Sequence, residues 1–327
     1  MRTQQSAAAP RFVDPLAAVD SFGFDFQAMA SVCEIRLDGD DETALGVAAR
    51  RAIDEVRRIE RKYSRYRSDS VVSCINAAAG SMKVIKVDAE TAALLDFAAQ
   101  LHVLSDGLFD ITSGVLRRAW DFRAGRLPDR AAVAALLSLI GWSQVAWKDE
   151  RIALPRKGME LDFGGFGKEY AADRAMAVLA ACGQRHGFVN LGGDIRVLGP
   201  RADGRPWRFA IQHPRREQET IAGVEMSEGA LASSGDYERY FELGGKRYCH
   251  ILDPRTGWPV TAWASISVTA PACVAAGALS TIAMLKGERA FDFLVTQRAT
   301  YLAVDTALRS FHHDLSETDR FECGEDL

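Results

Sequence analysis

This sequence predicts an α+β domain with mixed, largely antiparallel sheets and packed helices, on three observations. Helical periodicity dominates the first part of the chain, at 42–63 and 88–104. Short runs of strand-like composition crowd the part after residue 187. No repeat, low-complexity tract or composition shift cuts the chain into independent units. A chain of 327 residues, 48% of them hydrophobic, can bury a sizeable core. Residues 1–25 read as a disordered leader, 26–309 as one intimate unit and 310–327 as a charged tail.

Taken in order, residues 26–37 have the small and branched mix of a strand. Leu45, Val47, Ala48, Ala52, Val56 and Ile59 recur at helical spacing, predicting an amphipathic helix over 42–63. A loop is expected at 65–80, a helix over 88–104 ending near Gly107, and short helices at 110–122 and 130–141. Strands follow at 152–154 and 160–163, then a glycine-rich loop at 164–167 and a helix over 168–181. A strand at 187–191 runs into Gly192-Gly193-Asp194. Further strands are expected at 207–212, 220–226, 240–243, 247–251 and 265–270. Helices at 274–286 and 289–297 and a last strand at 300–304 complete the unit. The tail beyond Arg309 is charged and is expected to be partly disordered.

A net charge of -4 argues against a nucleic-acid binder, which needs a basic stripe to neutralise phosphates. The basic runs Arg57-Arg58 and Arg61-Lys62 sit among acids on a helical pattern and read as a solvated face. The six cysteines form no C-x-x-C pair, which suits buried reduced thiols rather than a disulfide frame or zinc site. The N-terminus lacks a long apolar core, so neither a secretory signal nor a transmembrane segment is expected, and a cytoplasmic location follows.

Five segments could carry chemistry. In LDFGGFGK (161–168) a strand-to-loop-to-helix passage would let backbone N–H groups approach a phosphate, with Lys168 adding charge. The same pattern can be a tight turn with a surface lysine. In YCHILDPRTG (248–257) a turn follows His250, which reads either as a proton-transfer group or as a packed core residue. VNLGGD (189–194) is a strand ending in a turn. In GLFDITSG (107–114) an aromatic beside a carboxylate could hold a planar ring and a ribose or adenine edge, or Asp110 or Thr112 could cap a helix running to Trp120. SSGDY (233–237) reads otherwise as a polar loop.

In combination and order these segments resemble the FAD:protein FMN transferases, the ApbE family. The resemblance runs from about Phe26 to about Val304 in eight blocks: FQAMAS, SRYRSDSVVSCIN, GLFDITSGVLRRAWDF, LDFGGFGKEYAAD, FVNLGGDIRVLG, ASSGDYERYF, KRYCHILDPRTGWPV and SVTAPACVAAGALST. It implies the family's flavin transferase fold. It also implies an enzyme that cleaves FAD with a divalent metal such as Mg²⁺, attaches FMN through a phosphoester to a Thr or Ser of an acceptor protein, and releases AMP. By position it implies FAD contacts at Met29, Tyr66, Leu108, Phe109, Asp110, Asp162, Lys168 and Ile251. His250 takes the place of the base on the acceptor hydroxyl. The residues agree: Tyr66 and Phe109 offer π faces, Asp110 and Asp162 acceptors, Lys168 a charge.

The resemblance departs at the metal. It implies a carbonyl at Gly165, and an Asp and a Thr one helical turn apart. The Thr is Thr281, but Gly277 stands at the Asp position, and no Asp or Glu lies between Ala270 and Gly287 to replace it. On this reading the metal site is weakened, and Gly277→Asp should strengthen it. A second departure is Glu169, at a position that is often glycine. Two other activities use the same site: an FAD pyrophosphatase giving FMN and AMP, and a non-catalytic FAD binder. The chain has no copy of the acceptor motif (Asp followed by Gly-Ala-Thr), so the acceptor is expected to be another protein.

Overall fold

The computed structural model describes residues 11–13 and 21–314. Strand β1 (Arg11–Val13) is followed by the hairpin β2 (Phe22–Ala28) and β3 (Ser31–Leu37), helices α1 (Glu42–Tyr63) and α2 (Val71–Ala77), β4 (Ile85–Lys86) and α3 (Ala89–Leu104). Next come a 3₁₀ segment (Ser113–Arg118), α4 (Arg130–Leu137), β5 (Ala146–Lys148), β6 (Arg151–Ala153) and α5 (Gly167–Ala181). The strand-rich part holds β7 (Gly187–Leu191), β8 (Asp194–Gly199), β9 (Trp207–Gln212), β10 (Thr220–Met226), β11 (Gly229–Gly235), β12 (Tyr240–Leu243), β13 (Lys246–Cys249) and β14 (Trp263–Ala270). Helices α6 (Cys273–Lys286) and α7 (Ala290–Thr296) and strands β15 (Thr300–Asp305) and β16 (Ser310–His313) end it.

An eight-stranded sheet in the order β16-β15-β14-β11-β8-β7-β3-β2 organises the molecule, and every neighbouring pair in it is antiparallel. Strands β14 and β15 are buried on both faces: β15 throughout and β14 in all but its last residue. One face is covered by α1, α5 and α6. The other carries a second core, in which Phe188 of β7 packs edge-on against Trp207 and Phe209 of β9. A third, smaller core of Leu116, Trp120, Val133 and Phe241 sits under α4 and the β12–β13 hairpin.

The two long first-half helices form as their sequences dictate. Asp41 accepts a hydrogen bond from the Ala44 N–H at the start of α1, and Asp88 does the same for Thr91 in α3. Helix α1 buries one face, Leu45, Ala48, Ala52, Val56 and Ile59. No described helix is long and apolar enough to cross a membrane.

The structure corrects several expectations. The run 26–37 is not one strand but the end of β2, a turn and β3, because Met29 and Ala30 both adopt positive φ (53° and 59°) and reverse the chain. That turn class usually advertises itself with Asn-Gly, and Met-Ala gives no such sign. The expected loop at 65–80 contains α2, capped by Ser70, whose hydroxyl accepts from the Ser73 N–H. Residues 160–163 run without a strand partner. Asn76 takes that role: its amide donates to the Leu161 carbonyl (3.0 Å), and its oxygen accepts from the Leu161 N–H (2.7 Å). Ser233, Ser234 and Gly235 lie on β11 rather than in a polar loop. Residues 11–13, expected in the leader, form β1 and pair with β10, and β2 starts at Phe22. Residues 310–313, expected in the tail, form β16 on the sheet edge. The rest of the expected leader up to residue 20, and the tail from 315, lie outside the described residues.

Candidate active site

Gly114 approaches the glycine loop so closely that a Cβ there would lie 2.5 Å from Asp162 Cβ. Asp162 donates its N–H to the Ile111 carbonyl (2.8 Å), accepts from the Gly164 N–H (2.9 Å) and pairs with Arg65. The segments around Tyr66, Leu108 and the glycine loop are thereby tied together. Gly165 in turn abuts Phe109, since a Cβ on it would stand 2.9 Å from Phe109 Cζ.

Leu108, Phe109 and Asp110 are buried, and their environment favours a structural role over direct ring contact. Phe109, 5% exposed, stacks on Phe166. Asp110 accepts from the Thr112 N–H (2.8 Å) and hydroxyl (2.6 Å) with one oxygen and from the Trp142 N–H (2.8 Å) with the other. Both oxygens therefore organise the loop; Asp110 does this as a turn-forming acceptor and not as a helix cap, because the 3₁₀ segment that follows has no side-chain cap. Asp110→Ala should lower folding stability by about 3 kcal/mol, because it strands buried donors that now bond a charged acceptor. Urea unfolding with an unchanged m-value checks this; a loss below ~1 kcal/mol would mean that water replaces the carboxylate. Tyr66 is different. It is 78% exposed, with the Arg65 guanidinium over its ring (4.9 Å) and donating to its hydroxyl (2.8 Å). Its face is open to a planar ligand.

His250 follows β13, its N–H donating to the Arg239 carbonyl (2.9 Å). The residue is half-buried, and its Nδ1, which is buried, has no hydrogen-bond partner. Burial, followed by the positive charge of Arg239 and then of Lys168, pushes it down to about 4. A neutral ring with an unpaired nitrogen is therefore present at neutral pH. Ile251, also buried, fixes the following chain by accepting the Val260 N–H (3.0 Å). The Asp-Pro-Arg-Thr-Gly turn closes with Gly257 at φ 72° and docks through the Trp120 indole, which donates to the Gly257 carbonyl (2.8 Å).

Lys168 opens α5, with its ammonium 2.9 Å from Asp194 and donating to the Gly192 carbonyl (3.1 Å). Burial opposes its charge, but Asp194 and Glu169 outweigh that and hold it above the ordinary lysine value. Gly192 sits between Lys168 and Ser31, so the Met29 turn belongs to the same corner. Met29 itself donates its N–H to Glu60 (2.6 Å).

The metal corner differs from what the sequence led us to expect. Thr281 is present, 2.9 Å from the Ser234 hydroxyl. Gly277 faces Glu169: a Cβ on Gly277 would lie 2.6 Å from Glu169 Cγ and 2.8 Å from its Cδ. Glu169 is 8% exposed, and its Oε2 has no partner. Burial, then the charge of Asp194, pushes its carboxyl up to about 8. A carboxylate therefore does lie beside position 277, supplied by another helix. The segment between Ala270 and Gly287 itself holds no acid, as the sequence reading states; the carboxyl beside position 277 is that of Glu169 on α5, and a side chain at 277 would have to displace it. An unpaired, buried carboxyl oxygen beside Gly277, one helical turn before Thr281, is the type of donor a hard divalent cation takes. Glu169 is the residue that sequence reasoning misplaced. Its position directly after Lys168 was a signal, but the partner that gives it meaning is on α6.

Comparisons with known proteins agree with this architecture. The ApbE family model matches residues 29–304. A FAD:protein FMN transferase of Vibrio cholerae is 31% identical over 254 residues, 76% of this chain and 75% of that protein. One from Rhodobacter capsulatus is 35% identical over 68% of this chain, though the match spans only 43% of that longer protein. Among solved structures, the ApbE protein of Thermotoga maritima superposes with a TM-score of 0.82 at 30% identity, covering 89% of this chain and 96% of that one. The apo flavinyl transferase ApbE of Pseudomonas stutzeri gives 0.79 at 28% identity, covering 90% and 94%. The chain belongs to the ApbE family.

Proposed function

We propose that this ApbE-family chain binds FAD as a substrate and transfers its FMN moiety to a Thr or Ser hydroxyl of an acceptor protein, releasing AMP. The observation that carries the reading is His250: a half-buried, neutral imidazole whose buried Nδ1 has no partner, within the electrostatic reach of Arg239 and Lys168. In this scheme Tyr66 packs on a ring of the ligand, and the backbone at Met29, Leu108, Phe109 and Ile251 shapes the walls. The loop between Asp162 and Lys168 faces the pyrophosphate. The acceptor oxygen attacks the FMN phosphorus, its proton passes to His250, and the bond from that phosphorus to the oxygen of AMP breaks. Two phosphates bound nearby would oppose the charges of Arg239 and Lys168 and bring the imidazole toward a more basic value.

The cation implied by the family would be held by the Gly165 carbonyl and Thr281, together with the carboxylate considered below. Its chemistry when bound is to neutralise pyrophosphate charge. Lys168 and Arg239 add fixed positive charge on the same side.

Incubating the protein with FAD and Mg²⁺, with and without a peptide bearing the acceptor motif, tests the proposal. Peptide mass increased by FMN, together with AMP, supports transfer. AMP and FMN formed equally without peptide would make it a pyrophosphatase, and neither product would make it a binding protein. A second expectation concerns affinity. Because the candidate contacts span both the ring and the pyrophosphate, FAD should bind at least ~10-fold more tightly than riboflavin in calorimetry. Equal affinities would remove the pyrophosphate from the binding site.

A further inference from the structure

We infer that Glu169 is this chain's own carboxylate ligand for a divalent cation, reaching from α5 into the space that Gly277 leaves open on α6. The inference rests on the cation-assisted reading above, and adds a residue to it.

The packing of the two helices carries the argument. Asp173 on α5 accepts from the Cys273 and Val274 N–H groups (2.9 Å each) and so caps α6. One turn back along α5, Glu169 lies against Gly277, one turn forward along α6. The helices thus run antiparallel with a register in which Asp173 meets Cys273 and Glu169 meets Gly277. Thr281 lies one further turn along α6, on the same face as Gly277. A carboxyl and a hydroxyl therefore come to the same side of the α5–α6 contact.

Other nearby acids are already committed. Asp173 uses both oxygens on α6 and pairs with Arg196 (3.0 Å). Asp194 pairs with Lys168 (2.9 Å). Glu169 alone among them keeps an unpartnered oxygen, more than nine-tenths buried. A buried carboxylate oxygen without a donor is costly unless something fills that role. Among the described residues no three His, Cys, Asp or Glu side chains cluster as a metal site. A cation here must therefore draw on a single carboxylate plus neutral oxygens and substrate phosphates, which is how Mg²⁺ is commonly held. The same contact explains the glycine inside α6: any side chain at 277 would occupy the volume of Glu169. The two sequence departures are one exchange, with the carboxylate moved from α6 to α5.

The test is Mn²⁺ titration of the full-length protein, followed by the electron paramagnetic resonance signal of the free ion, alone and with FAD. Glu169→Gln keeps the shape and removes the group that can ionise onto a cation, and its thermal melting should be no lower than that of the wild type. We expect Glu169→Gln to weaken Mn²⁺ binding at least ~10-fold in both conditions. Unchanged Mn²⁺ affinity would overturn the assignment, as would a wild-type protein that binds no Mn²⁺ with or without FAD. FAD binding measured by flavin fluorescence in chelator keeps the two readings apart. If FAD fails to bind, the proposed function falls; if FAD binds and the Gln variant holds Mn²⁺ normally, only the role of Glu169 falls.

Discussion

His250→Ala should reduce FMN transfer by ~10²–10⁴-fold, the usual contribution of a positioned general base, while leaving FAD affinity within about threefold. The imidazole acts on the incoming hydroxyl, so its removal should appear in kcat rather than in flavin binding. Single-turnover transfer to an acceptor peptide, beside calorimetry with FAD, separates the two. An unchanged rate would make His250 a packed residue only. The pH behaviour gives a second readout. Burial, Arg239 and Lys168 hold the free-protein imidazole at about 4, below the ordinary 6.5. It is therefore already neutral across the range where an ordinary histidine titrates, and kcat/KM should show no acidic limb from this group near 6.5. The sign for stability follows. The unfolded chain binds a proton at 6.5 and the folded chain only near 4, so the contribution is complete above 6.5. It drains away as the pH falls toward 4. The stability of wild type relative to His250→Ala should decline over that window.

Much of the fold was legible because many elements carry their own local signals. Helix α1 has a cap, a periodic apolar face and a basic last turn, and strands β7, β9, β10 and β12 carry branched or aromatic residues between turns. Elements whose signals are tertiary escaped. Strand β11, GALASSG, lacks branched residues because α6 packs tightly on it. Its hydroxyls bond across: Ser233 to Ser267 (2.7 Å), and Ser234 to Ser280 (2.8 Å) and Thr281 (2.9 Å). The segment at 160–163 reads as a strand because Leu161 and Phe163 alternate with acids, but Asn76 and Ile111 supply its backbone partners. The site was legible as a set of segments and not as a set of roles. Nothing local distinguishes Tyr66, which is open to solvent, from Phe109, whose ring lies between Phe166 and Gly165. The most consequential miss joins residues from two helices. Glu169 and Gly277 each look like a loss when read alone, and only their contact shows a carboxylate beside the vacant helix position.

That contact sets the second large effect. Gly277→Asp should destabilise the protein by about 3 kcal/mol or more, rather than improve the cation site. The new Cβ would fall 2.6 Å from Glu169 Cγ and 2.8 Å from Cδ, so the whole Glu169 side chain must leave its place, not only its tip. Glu169 is 8% exposed, and the displaced carboxylate would share a buried corner with the new one and with Asp194, whose own carboxyl burial already raises. Overpacking and like-charge repulsion thus act together. Glu169→Gly alone removes a buried side chain and should cost about 1 kcal/mol from the glycine placed in a helix. In the double variant the clash is gone, the carboxyl count is unchanged and the glycine has moved from one helix to the other. The double variant should therefore recover most of the loss, to within about 1 kcal/mol of the wild type, with a coupling of about 3 kcal/mol between the two sites. Urea unfolding of the four proteins gives that number directly. Additivity within ~0.5 kcal/mol would show that Glu169 and Gly277 do not compete for one volume. Mn²⁺ affinity should follow the same pattern, low in Glu169→Gly and restored in the double variant, because a carboxylate then reaches the corner from α6 instead of α5.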